Sequence, residues 1–96
     1  MRVISPKLLR AFWSIHPDAR GPLNRWRKIV QTCVWKSFAD VKPDFGSADQ
    51  YKQFVIFDIG GNKFRLIAAI HYNTGRVFIR HVLTHAEYDH GNWKKE

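Results

Sequence analysis

Between Gly60 and His90 the chain gathers Lys63, Arg65, Arg80, His81, His85 and Tyr88, set in two strand-like stretches and the turn that closes them. Cations, imidazoles and a phenol at one end of a small sheet suit the binding or breaking of a phosphodiester. Breaking a phosphodiester with side chains needs a base for the attacking hydroxyl, cations for the charged phosphorane and an acid for the leaving oxygen. Arg65 is the leading cation, because a guanidinium fork matches phosphate oxygens. It lies mid-strand between Phe64 and Leu66, so its side chain points away from that apolar pair and off the core. His85 opens a capped turn, where an imidazole can act as base or acid near neutral pH and the first free N–H groups favour a phosphate. Tyr88, three residues on, falls on the same face and can stack on a base or donate its phenolic proton.

Around this group stand residues suited to holding RNA. Lys63 is two positions before Arg65 and shares its face if both lie in one strand. Asn62 lies in the turn, where its side chain tolerates a left-handed backbone. Lys52 precedes the strands. Arg80 depends on register. A three-residue turn at Asn73-Thr74-Gly75 pairs Tyr72 with Arg76 and sets Arg80 opposite Ala68, facing away from Arg65. A bulge or a one-residue shift would bring the two arginines together, because a slip of one reverses every side chain. The other histidines, His16, His71, His81 and His90, read as structural or exposed.

The elements that must position these groups are few. Ninety-six residues suffice for one domain with a small core, so the site is expected as a shallow groove rather than a deep cavity. Arg2-Val3-Ile4 reads as a strand. Ser5-Pro6 starts a helix, with Ser5 as cap and Pro6 in the first turn. Leu8, Leu9, Phe12, Trp13 and Ile15 form its apolar stripe, and His16-Pro17 ends it. Asp18 caps a second helix reaching about Cys33, with Leu23, Trp26, Ile29 and Val30 inward. Residues 35–45 are irregular, with one helical turn before Pro43, and Gly46-Ser47-Ala48-Asp49 is a loop. Three strands follow: Phe54 to Ile59, Lys63 to Tyr72 and Arg76 to Leu83. Thr84 and Glu87 have capping-box spacing, and the tail from Asn92 is expected to fray. The predicted fold is α+β, in the order β-α-α-β-β-β, with an antiparallel meander packed against two helices and its other face open.

Composition narrows the partner. Sixteen Lys and Arg against eight Asp and Glu give +8 and a sequence pI near 10.1. Such a charge draws polyanions: nucleic acid first, an acidic protein second. No segment has the wide apolar side of a membrane-surface helix, and no run reaches transmembrane length. A hydrophobic fraction of 45% argues against disorder. Cys33 is the only cysteine, which excludes an internal disulfide or a zinc site built on cysteine pairs and fits a reducing cytoplasm. Pro6-Lys7 interrupts the start before an apolar run forms, so no signal peptide is expected.

With these residues in view, the chain resembles the HigB family of bacterial toxins within the RelE-type superfamily. The likeness runs through Met1 to Ser5, Ala39-Asp40-Val41-Lys42 with Phe45, Gly61 to Leu66, and Phe78-Ile79-Arg80. It is most specific in Thr84-His85-Ala86-Glu87-Tyr88-Asp89. The family pattern is departed from at Asp49 to Gln53. The resemblance implies the toxin of a type II toxin–antitoxin pair, an mRNA interferase cutting translated mRNA at the decoding site of the ribosome, beside the 16S rRNA. It implies no metal or other cofactor. It also implies a HigA-like helix-turn-helix antitoxin as partner. The expected catalytic set is Arg65, His85, Tyr88 and Arg80, with Lys63, Asn62 and Lys52 holding RNA and a 2′,3′-cyclic phosphate as product. The rivals are a non-catalytic RNA-binding module of the same fold and a ParE-like toxin acting on a protein such as gyrase.

Overall fold

The computed structural model describes residues 1–95. Strand β1 (Arg2–Ile4) leads into helix α1 (Lys7–Ile15), a 3-10 turn at Pro17–Ala19, helix α2 (Arg20–Thr32) and the single turn α3 (Phe38–Val41). Four strands follow: β2 (Asp49–Tyr51), β3 (Phe54–Ile59), β4 (Phe64–His71) and β5 (Arg76–Thr84). Helix α4 (His85–His90) and a 3-10 turn at Asn92–Lys95 close the chain. The strands form one sheet in the order β1-β5-β4-β3-β2, with β1 parallel to β5 and the other pairs antiparallel.

The α+β class and the meander against two helices hold. Alternate residues of the central strands, Val55, Phe57, Leu66, Ala68, Val77 and Ile79, pack against Leu9, Leu23, Trp26 and Val30 of the helices. Trp26 and Phe57 meet edge to face at 5.4 Å. Burying each such large side chain stabilises by about 1.5–3 kcal/mol relative to exposure. Ile15, at the end of the predicted stripe, is instead 75% exposed.

Local chemistry differs from the sequence reading in four places. Asp49, expected in a loop, instead opens a short edge strand with Gln50 and Tyr51, whose polar side chains are mostly exposed. A strand this short and polar lacks the hydrophobic alternation that would reveal it. Neither Ser5 nor Asp18 caps a helix through its side chain. Ser5 adopts φ 68° and its carbonyl accepts from Leu8, while α2 is entered directly from the Pro17–Ala19 turn, so the chain geometry substitutes for a side-chain cap. The capping box at Thr84 and Glu87 does form, with both reciprocal bonds present.

The fourth difference matters most for the site. The sheet face away from the helices is not left open. Trp93, in the segment expected to fray, is 3% exposed and packs with Phe54, Ile56 and Ile67 into a second apolar cluster. Tyr51, Leu83 and Tyr88 border it. An indole with this much apolar area contributes enough by burial to order the segment that carries it.

Between β4 and β5 the register also departs from expectation. The loop has four residues, Tyr72 to Gly75, so His71 rather than Tyr72 pairs with Arg76. Ala68 pairs with Ile79 and Ile67 with His81, which leaves Arg80 as the extra residue of a β-bulge. Shift and bulge together place Arg80 on the face that carries Arg65.

Candidate active site

The site lies where the start of β4 meets α4. The His85 backbone N–H donates to the Lys63 carbonyl at 3.0 Å, which pins α4 to the β3–β4 turn. Gly91 at φ 74° ends the helix, its N–H donating to the Tyr88 carbonyl. This short helix presents His85, Tyr88 and Asp89. His85 Nε2 lies 3.1 Å from Asp89 Oδ2, and both side chains are largely exposed. A carboxylate one turn away orients the imidazole, the arrangement that an activated base requires.

Tyr88 is half-buried. Its ring stacks on Trp93 at 5.3 Å and 10°, and Trp93 Nε1 donates to the Tyr88 carbonyl at 3.1 Å. The Arg65 guanidinium lies over the same ring at 5.3 Å. Burial pushes the phenol above its ordinary value; Arg65 opposes the shift, and Asp49, Asp58 and Asp89 reinforce it. The phenol therefore keeps its proton near neutrality and is a donor, not a base.

Arg65 points away from Phe64 and Leu66, as expected, but it is not off the core: at 7% exposure it is the one buried charged residue among those described. Around it stand Asp58 across the ladder, the turn at Asn62 and the Tyr88 ring of α4, which Trp93 backs. Nε pairs with Asp58 across the ladder at 3.0 Å. Nη1 donates to the carbonyls of Phe64 (3.1 Å) and Asn62 (3.3 Å), and Nη2 to the Asn62 side-chain oxygen. Four contacts thus engage a group with five N–H donors. Arg65 is built to hold Asp58, the turn and Tyr88 in place.

The remaining expected site residues are dispersed. Asn62 is not the left-handed residue of its turn; Gly60 and Gly61 take φ 64° and 70°, and Asn62 instead anchors Arg65. Lys63 lies in the turn rather than in β4, and its ammonium reaches Asp18 beside the helices at 3.7 Å instead of sharing the face of Arg65. The two glycines bend the chain so that the strand ladder begins only at Phe64. Lys52 sits at φ 54° in the two-residue loop between β2 and β3, its ammonium over the Tyr51 ring at 5.5 Å. Arg80 lies over Phe78 at 5.8 Å, toward the other end of the sheet from α4.

Three residues were missed by sequence reasoning. Asp89 was findable from its spacing of four from His85 in a helical turn. Asp58 faces Arg65 once the Ile59–Phe64 turn is closed. Trp93 carries no local signal. Among the described residues no three His, Cys, Asp or Glu are gathered so as to hold a metal ion. No described helix is long and apolar enough to cross a membrane.

A small α+β sheet ending in a helix that carries an imidazole, a phenol and a carboxylate is compatible with a RelE-like domain. The chain belongs to the HigB toxin family, described as the RelE-like toxic component of a toxin-antitoxin system, whose model matches residues 19–91. It is 28% identical over 92 residues to the mRNA interferase toxin HigB of Escherichia coli (strain K12), covering 93% of this chain and 88% of that protein. The mRNA interferase HigB of Shigella flexneri is similar to the same extent. That of Escherichia coli O6:H1 is 26% identical, over 93% of this chain and 89% of that one. Membership of a toxin–antitoxin family entails an antitoxin as partner.

Proposed function

We propose that the protein is a metal-independent mRNA interferase, acting in the cytoplasm on translated mRNA at the ribosome and neutralised by a HigA-like helix-turn-helix antitoxin. The His85–Asp89 pair beside a protonated Tyr88 carries this reading, on a chain whose relatives are named mRNA interferases. His85, oriented by Asp89, takes the 2′-OH proton. The 2′-oxygen attacks the adjacent phosphorus, and the P–O5′ bond breaks to leave a 2′,3′-cyclic phosphate. Tyr88 donates its phenolic proton to the leaving 5′-oxygen. Arg65 acts through Tyr88, fixing the ring and placing positive charge beneath the site.

The test is induction without antitoxin followed by mapping of mRNA 5′ ends. Growth arrest with new ends inside reading frames is expected. His85→Ala, an exposed position, should remove both while the fold persists, since loss of a general base costs on the order of 100-fold or more in rate. Growth arrest with intact mRNA would point to a protein target instead.

A further inference from the structure

At the end of the same face, beyond Trp93, lies a groove of about 340 Å³ lined by Gln53, Phe54, Ala69, His71 and Arg80. It has a floor, a wall and a charge. Ala69 is the floor: where Ile67 supports Trp93, the small side chain two residues on leaves space. His71 and Arg80 form the wall, backed by Phe78, whose ring lies 4.7 Å from that of His71 and beneath the Arg80 guanidinium. Arg80, the bulge residue without a ladder partner, borders this groove. Arg76 is the ladder partner of His71, on the same face and exposed. No carboxylate lines the groove, in contrast to the Arg65 end, where Asp58 and Asp89 stand.

The groove is joined to the active site by packing. Phe54 lines it and meets the Trp93 ring at 6.3 Å; Trp93 stacks on Tyr88. Along β4 the separation from Arg65 to Ala69 is about 13 Å at roughly 3.3 Å per residue. An RNA strand crossing the face from Tyr88 would reach it within a few nucleotides.

We infer that this groove is a nucleotide subsite that holds a base of the substrate strand near the cut, stacked on His71, which Phe78 backs, with its phosphate on Arg80 and Arg76. Aromatic and guanidinium planes are what unpaired bases stack on, and paired cations without a carboxylate neighbour select an anionic backbone. The inference rests on the RNA-cleaving reading, and it assigns Arg80 to binding, apart from the reacting phosphate.

The experiment has two arms. The first measures affinity for a single-stranded 2′-O-methyl oligoribonucleotide, which cannot be cleaved, so it does not depend on catalysis. His71→Ala, Phe78→Leu and Arg80→Ala should each weaken binding about 10-fold, and Arg80→Ala should also lower the salt dependence by about one phosphate contact. Phe78→Leu keeps apolar volume, and thermal unfolding checks each fold. Binding within about twofold of the parent in all three overturns the subsite. The second arm maps cut sites in cells. Relaxed base preference at positions flanking the cut is expected. A uniform fall in cutting with unchanged preference overturns the assignment to the substrate strand, and would give the groove to ribosomal RNA. If the parent protein cuts no RNA, the functional reading fails, and the groove is still judged on the binding arm.

Discussion

Arg65 and Arg80 occupy one face of one sheet and live in opposite environments. Arg65 is buried, paired with Asp58, bonded to the turn at Asn62 and laid against Tyr88. Arg80 is exposed, lies over Phe78 and borders an open groove. The same residue type is structural support at one end and available charge at the other. What separates them is Trp93, which covers the middle of the face and fixes where solvent, and hence RNA, can reach.

The contrast can be broken most severely at Trp93 itself. Trp93→Ala empties a fully packed indole site and should destabilise by about 3–5 kcal/mol. It should also free the Tyr88 ring, so that cleavage falls further than His85-intact geometry alone would allow. Urea unfolding checks the first effect. Unchanged stability would mean that the second cluster contributes little and that the face is open after all.

A smaller effect is expected from paired substitutions of the two arginines. Arg65→Met should cost about 1.5–3 kcal/mol, because Asp58 and the Asn62 oxygens lose charge-assisted partners. Asp58 keeps some access to water, which holds the cost below that of a wholly buried orphan. Arg80→Met should stay within about 0.5 kcal/mol of the parent, as an exposed change without bonded partners usually does. Equal effects at the two positions, in the same denaturation series, would erase the distinction.

The smallest expected effect is a pH dependence. Burial raises the Tyr88 phenol, so the folded chain holds that proton more tightly than the unfolded chain. The resulting stability is complete below the ordinary tyrosine value near 10 and is lost as pH rises through the higher folded value. Tyr72 is raised by burial in the same sense. Tyr88→Phe should therefore make the loss of stability above about pH 10 shallower without abolishing it. A slope identical to the parent's would place Tyr88 in a more solvated setting than its contacts imply.

Much of this was legible in the sequence. The apolar run of β3, the turn signals between the strands, the capping box at Thr84 and the cations between residues 60 and 90 are local signals, and local chemistry fixes them. His85 and Tyr88 lie three apart in a capped turn, so their shared face needed no tertiary information. The roles of the cations did need it. Lys63 leaves the face because two left-handed glycines delay the ladder to Phe64, and it reaches Asp18 instead.

Arg80 joins the face because a four-residue loop and a bulge set the β4–β5 register, and register is a property of two strands together. Arg65 is enclosed by Asp58, Asn62 and the Tyr88 ring, and Tyr88 is backed by Trp93, which returns from a polar tail to cover Ile67 and Phe54. Nothing within a few residues of Trp93 encodes that contact. The sequence by itself thus determined which elements form and which chemical groups are present. Only the tertiary structure decided which of those groups are spent on holding the fold and which remain free to meet RNA, because burial and pairing arise from residues distant in the chain.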